Sequence, residues 1–153
     1  MRTLQDWLEA YGESHQNKTN KKIHYICVPA IFFSIVGLLM SIPTPILEQL
    51  FQLNNSFIEN WATVVLIPIM VFYIRLSISM AIKIISFYMF CVIFNGWIAF
   101  YTEGWVVSLL IFLMAWIGQF YGHKIEGKKP SFFEDIQFLL IGPAWILNDI
   151  FKK

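Results

Sequence analysis

Charged side chains are scarce in this 153-residue chain: Asp, Glu, Lys and Arg make up 14% of it. A soluble domain carries about 25%, so the shortfall argues against a water-soluble fold before any segment is read. The formal net charge is +1, which gives no global field to draw nucleic acid, and no basic patch is interleaved with an aromatic platform. Cysteine is nearly absent. Cys27 and Cys91 are the two present, both lie inside apolar runs, and no CxxC occurs; they read as small buried apolar residues rather than a disulfide or thiolate site. The opening stretch MRTLQDWLEAYGESHQ has no apolar core, so a cleavable signal peptide is not expected and later helices must drive membrane insertion. Internal repeats, low-complexity tracts and linkers are also missing, which predicts one domain over 1–153.

What remains is apolar: 58% of residues are hydrophobic and 18% aromatic, with a mean hydropathy of +0.62. The pattern predicts an all-α integral membrane bundle of about four spans, over 23–42, 61–80, 82–101 and 105–121. The first, IHYICVPAIFFSIVGLLMSI, has the ~20 residues that cross a hydrocarbon core, and its Pro29 is tolerable where neighbours satisfy the freed carbonyl. Arg75 shortens the clean apolar run of the second span to 62–74, so a shorter helix ending with Arg75 at the interface also fits. Residues 46–60 read as a connector, partly helical. Before the spans, residues 3–16 predict an amphipathic helix with Leu4, Trp7, Leu8 and Tyr11 on one stripe, and Thr3 and Asp6 form a capping-box-like start. After them, residues 132–151 predict an interfacial or bundle-capping helix interrupted at Gly142-Pro143.

Basic residues set the expected topology. Arg2, Lys18, Lys21 and Lys22 precede the first span; Arg75 and Lys83 flank the turn between the second and third; Lys124, Lys128, Lys129, Lys152 and Lys153 follow the fourth. The other two connections hold Glu48, Glu59 and Glu103 and no basic residue. The bias places both termini in the cytoplasm, in the inner membrane of a bacterium or the endoplasmic reticulum of a eukaryote.

The chain has three histidines, His15, His24 and His123, and this topology brings all three to the cytoplasmic edge. His15 and His24 are about 180° apart on one continuous helix, so they converge only if the chain turns between them, and NKTNKK (17–22) offers the break. Tyr11 and His15 share a face, as do Asn20 and His24, and Gln119, His123 and Glu126 lie along another. Three neutral imidazoles suit Fe(II), Zn(II), Cu(II) or Ni(II) without choosing among them, and they leave coordination positions for substrate and for water or O2. Asn20 and Glu126 are candidates to orient the ligating rings, since such histidines usually donate their other N–H to a neighbour. Lys18, Lys21, Lys22, Lys128 and Lys129 line the same edge, where they meet headgroups or a substrate carboxylate. The bland alternative is that each histidine is a hydrogen-bonded interfacial residue and that Glu126, Gly127 and Pro130 only end a helix.

Two motifs go further. Tyr11, His15, Asn20, His24 and Pro29 form Y-x3-H-x4-N-x3-H-x4-P. Trp116, Gln119, Phe120, Gly122, His123, Glu126, Gly127 and Pro130 form W-x2-QF-x-GH-x2-EG-x2-P. Together with Pro143 they resemble the signature of the small membrane-protein family that contains the yeast 2-hydroxy fatty acid dioxygenase of phytosphingosine degradation. The resemblance covers nearly the whole chain, the middle spans in hydropathy alone. It implies a membrane-embedded Fe(II)-dependent dioxygenase that shortens a 2-hydroxy fatty acid by one carbon with O2 and releases CO2. It also implies that His15, His24 and His123 are its iron ligands. Two other readings stand beside it. One is a zinc-dependent lipid hydrolase with Glu126 as general base. The other is a non-enzymatic membrane scaffold; transport is disfavoured because the spans lack interior ionisable residues.

Overall fold

The computed structural model describes residues 3–53, 55–127 and 134–151, with 134–139 as backbone. Lys128, Lys129 and Pro130, singled out above, lie outside the described residues, as do Arg2, Lys152 and Lys153. The described residues form seven helices and no strand: α1 (Leu4–Glu13), α2 (Lys18–Met40), α3 (Pro45–Phe51), α4 (Trp61–Leu76), α5 (Ile78–Tyr101), α6 (Gly104–Glu126) and α7 (Glu134–Ile150).

Local chemistry explains where these helices begin and end, and it moves several expected boundaries. At α1 the capping box forms, with Asp6 N–H donating to Thr3 Oγ1 and Thr3 N–H to the Asp6 carboxylate, but the helix ends at Glu13, not at 16. The chain turns over Ser14–Asn17, because Asn17 Oδ1 accepts from the amides of Thr19 and Asn20 and starts α2 at Lys18. Most of the polar stretch expected to break the chain is therefore the first turn of α2. The boundary between the second and third spans falls at Ser77, not near residue 81. Ser77 closes α4 in an extended conformation and caps α5 with its own side chain, while Arg75 lies in the last turn of α4, where a cation complements the helix dipole. α6 runs past 121 and includes His123 and Glu126, stopping only where Gly127 takes φ 74°. α7 is not interrupted: Pro143 lies inside it. The buried Tyr73 hydroxyl donates to the Leu140 carbonyl, next to the carbonyl that the proline leaves without its usual donor.

α2 is the hub. Its most extensive contact is with α6, and it also meets α4, α5 and α7. One apolar cluster joins Leu8 and Tyr11 of α1 to Tyr73, Ile84, Ile141 and Ala144, so α1 and α7 cover the end of the bundle where α4 meets α5. A second lies deeper, around Val36, Leu66, Tyr88 and Val92. Polar side chains inside the bundle are spent on helix contacts. Asn95 Nδ2 donates to the carbonyls of Phe33 (3.1 Å) and Cys91 (2.9 Å), and Ser108 Oγ donates to Asn95 Oδ1. Cys91 is fully buried and Cys27 half-buried, both as free thiols.

α2, α5 and α6 are long and apolar enough to cross a membrane, whereas α4 has 16 residues. The outward faces of α5 and α6 expose Ile93, Phe94, Leu110, Met114 and Ile117, a surface suited to lipid and rare on a soluble monomer. Trp97, Phe100, Tyr101 and Trp105 are exposed at the end remote from α1, as aromatic residues are at a membrane–water interface.

Gly37 tests the packing. A Cβ there would lie 2.1 Å from Asn95 Oδ1 and 2.2 Å from Ser108 Oγ. Gly37→Ala is expected to destabilise the bundle by about 1–3 kcal/mol through overpacking, read as a lower melting temperature in detergent.

Candidate metal centre

Three elements supply the three histidines: the turn after α1 supplies His15, the second turn of α2 supplies His24, and the last turn of α6 supplies His123. Each of the first two rings is fixed from one side by a carbonyl four residues earlier. His15 Nδ1 lies 2.7 Å from Tyr11 O, and His24 Nδ1 lies 3.0 Å from Asn20 O. A carbonyl only accepts, so Nδ1 carries the proton in both rings and Nε2 presents its lone pair. The His15 ring also stacks on Tyr11, at 4.2 Å between centroids and 12° between planes.

The rings converge. Centroids are 4.3 Å apart for His15–His24, 5.1 Å for His24–His123 and 5.7 Å for His15–His123, and one nitrogen from each lies within 4.8 Å of the others. His15 and His24 are 3% and 1% exposed, and among the described residues the buried His15 Nε2 has no hydrogen-bond partner. Burial pushes the His15 pKa below its ordinary value, against the opposing pull of the Tyr11 carbonyl. A buried acceptor without a donor costs about 1–3 kcal/mol, and a divalent transition ion is a partner that a neutral imidazole nitrogen takes. The residues fit such an ion: three neutral nitrogen donors, two with fixed tautomers, and no carboxylate in the set.

Asn20 and Glu126, the two orienting candidates, act by different routes: Asn20 reaches a ring through its backbone, and Glu126 braces the corner. It is the backbone carbonyl of Asn20 that holds His24. Its side chain, fully buried, donates from Nδ2 to Glu126 Oε2 at 2.9 Å. The same carboxylate accepts from the amides of Gln16 (2.8 Å) and Asn17 (3.0 and 3.2 Å). Glu126 thereby ties the end of α6 to the α1–α2 corner, and so His123 to the segment carrying His15 and His24. Gln119 is buried one turn before His123.

The sequence reading missed the contact that brings α2 and α6 together. A Cβ at Gly118 would lie 2.5 Å from Cys27 Sγ, and one at Gly122 would lie 2.3 Å from Asn20 Oδ1 and 3.4 Å from His24 Cε1. Gly118-x3-Gly122 is the small-xxx-small spacing that lets membrane helices approach closely, and that spacing was there to be read. Trp145 was missed as well: it closes the α7 side, 6.0 Å from His15 and 5.4 Å from Tyr11 between centroids, behind Tyr25, whose hydroxyl bonds Asp149.

Two substitutions test this construction. Glu126→Ala is expected to speed hydrogen exchange at the Gln16 and Asn17 amides while leaving protection in the middle of α2 unchanged. Gly122→Ala is expected to push α2 from α6 at the level of His24, read as a changed distance between spin labels on the two helices; unchanged distance and stability would refute the close-approach role.

The model of the family described as 2-hydroxy-palmitic acid dioxygenase Mpo1-like matches residues 1–153. No curated protein and no solved structure matches the chain. With the match covering every residue, the chain belongs to the 2-hydroxy-palmitic acid dioxygenase Mpo1-like family.

Proposed function

We propose that this chain is an Fe(II)-dependent dioxygenase that removes one carbon from 2-hydroxy fatty acids at the cytoplasmic face of a membrane. The observation that carries the reading is the convergence of His15, His24 and His123, with a buried, unpartnered Nε2 on His15, in a chain whose family is named for a dioxygenase. These three histidines would hold the iron. Bound Fe(II) supplies the capacity to engage O2, which imidazole, amide and carboxylate groups lack.

The stoichiometry needs no other redox partner. Cleavage of C1–C2 converts R–CH(OH)–COOH and O2 into R–COOH, CO2 and water, and the four electrons that O2 takes all come from the substrate. The family's substrate class also suits the location. A long-chain acid keeps its carboxylate and 2-hydroxyl at the interface and its tail among lipids, and the basic residues around α2 and α6 support placing that interface in the cytoplasm.

The chain's own groups have separable tasks. The Tyr11 and Asn20 carbonyls hold protons on Nδ1 of His15 and His24, keeping Nε2 as the donor atom. Glu126 and the Asn20 side chain act as positioning residues. A hydrolase would need Glu126 as a free base, yet both its oxygens already accept from Gln16, Asn17 and Asn20; this favours the dioxygenase over the zinc-dependent alternative.

Protein purified without chelator and without oxygen is expected to hold stoichiometric iron and to convert 2-hydroxypalmitate to the chain one carbon shorter with matching O2 uptake. His24→Ala and His123→Ala are expected to lose iron and activity while the helical fold persists; iron retained in both would refute the three-histidine site, and zinc in its place would favour the hydrolase. Asn20→Ala, which keeps the carbonyl on His24 but removes the side-chain contact to Glu126, is expected to weaken metal affinity by less than the ~10–100-fold lost with a group bonded directly to a ligating histidine, measured by chelator competition.

A further inference from the structure

α4 and α5 leave the same corner, Ser77, in antiparallel directions along the bundle, but they do not reach equally far. At 1.5 Å per residue, the 16 residues of α4 extend about 24 Å and the 24 residues of α5 about 36 Å. The Thr63–Tyr88 hydrogen bond (2.8 Å) sets the register; beyond it α5 runs on to Tyr101 while α4 begins only two residues away at Trp61, so α4 stops about 16 Å before α5 does. The segment between α2 and α4 fills that level. Trp61 Nε1 donates to Pro43 O near the end of α2, and the Phe57 ring stands over Gly96 of α5, where a Cβ would be 2.7 Å away.

This segment is built as an amphipathic wedge. Ile46 and Leu50, one turn apart on α3, and Leu53 and Phe57 in the non-helical segment after it are each at least half exposed. Glu48 and Gln49 are the exposed polar residues of α3, and Leu47 is the residue it buries. Several backbone groups of the non-helical part are bonded within the segment: Glu59, 5% exposed, accepts from the amides of Leu53 and Asn55. Asn60 Nδ2 donates to the carbonyls of Ser56 and Phe57, and Asn55 Oδ1 accepts from Phe57 N–H. Irregular backbone is tolerated at membrane depth only when its polar groups are satisfied within the protein. The apolar row is continuous with the lipid-facing surface of α5, through Phe57 and the exposed Trp97 and Phe100.

We propose that residues 42–53 and 55–60 form a wedge seated in the acyl–headgroup boundary of the leaflet remote from the histidines, with Ile46, Leu50, Leu53 and Phe57 among lipid chains. The wedge completes the membrane-spanning height that α4 lacks. The proposal rests on the reading that α2, α5 and α6 cross the membrane, and it goes beyond the oxygenase reading, on which it does not depend.

The test places single cysteines at Leu50, Phe57 and Gln49 of the full chain in a Cys27→Ala, Cys91→Ala background, reconstituted in phosphatidylcholine vesicles. Nitroxide labels at these sites are read for collision with O2 and with a water-soluble nickel chelate. The expected result is a several-fold higher O2-to-nickel ratio at Leu50 and Phe57 than at Gln49. Ready nickel access at Leu50 and Phe57 overturns the wedge in favour of a water-exposed loop, and low access to both reagents overturns it in favour of a protein partner or second copy. Labels at Ile93 and Met114 separate the premises: nickel access there refutes the membrane reading itself, whereas lipid-like values there with nickel access at Phe57 refute the wedge alone. Should the cysteine-free background fail to fold, a benzophenone side chain at Leu50 of the otherwise native chain is expected to form phospholipid adducts on irradiation, as the same group at Met114 would; adducts at Met114 without adducts at Leu50 overturn the proposal.

Discussion

The close crossing of α2 and α6 governs the arrangement of the site. Gly118 and Gly122 remove the side chains that would hold the helices apart, and the space is taken by Cys27 Sγ and Asn20 Oδ1 from the opposite helix. Lipid competes with any apolar contact between helices, so burial alone does not drive such a pair together; close van der Waals packing and a few polar contacts do. The crossing sets His24 and His123 5.1 Å apart between ring centroids, and this is why two of the three imidazoles face each other across a helix pair instead of lying along one.

The third imidazole arrives by a different device. His15 is not in a helix, and a turn is softer than a helix. Here the turn is held at three points: the Tyr11 carbonyl on the ring, the Tyr11 ring stacked beneath it, and Glu126 on the two amides that follow. A single carboxylate satisfies backbone donors that the corner would otherwise leave to water, and it does so from the helix that carries His123. Rigid positioning on a loop thus comes from the opposite end of the chain.

The parts legible in the sequence were those with a period or a composition. The apolar runs gave an all-helical membrane chain, the capping box at Thr3 and Asp6 gave the start of α1, and the paired histidine motifs gave the family. Boundaries were less legible. NKTNKK looked like a break because it is polar, yet Lys18 and Thr19 sit exposed in the first turn once Asn17 caps it, and Asn20 is buried with its side chain on Glu126. Gly142-Pro143 looked like an interruption because proline removes a donor, and the sequence cannot show that Tyr73, seventy residues earlier (143 − 73), lends a hydroxyl nearby. Glu126 was noticed for its proximity to His123 along the helix, whereas beside the Asn20 side chain it holds the amides at 16 and 17. Such amides are backbone groups, which carry no residue-specific signature.

The chain order of the three histidines bears on how the protein is made. His15 and His24 lie nine residues apart (24 − 15), and both are present as soon as α2 has left the ribosome. His123 follows 99 residues later (123 − 24), after α4, α5 and nearly all of α6. A nascent chain paused anywhere before that point holds two imidazoles and lacks the glycine surface and the carboxylate that set the corner. The three-imidazole cluster therefore comes into being only when the last long helix has been inserted and docked. A chain that stops short of the end of α6 therefore carries His15 and His24 without the third imidazole and without Glu126 to hold the corner.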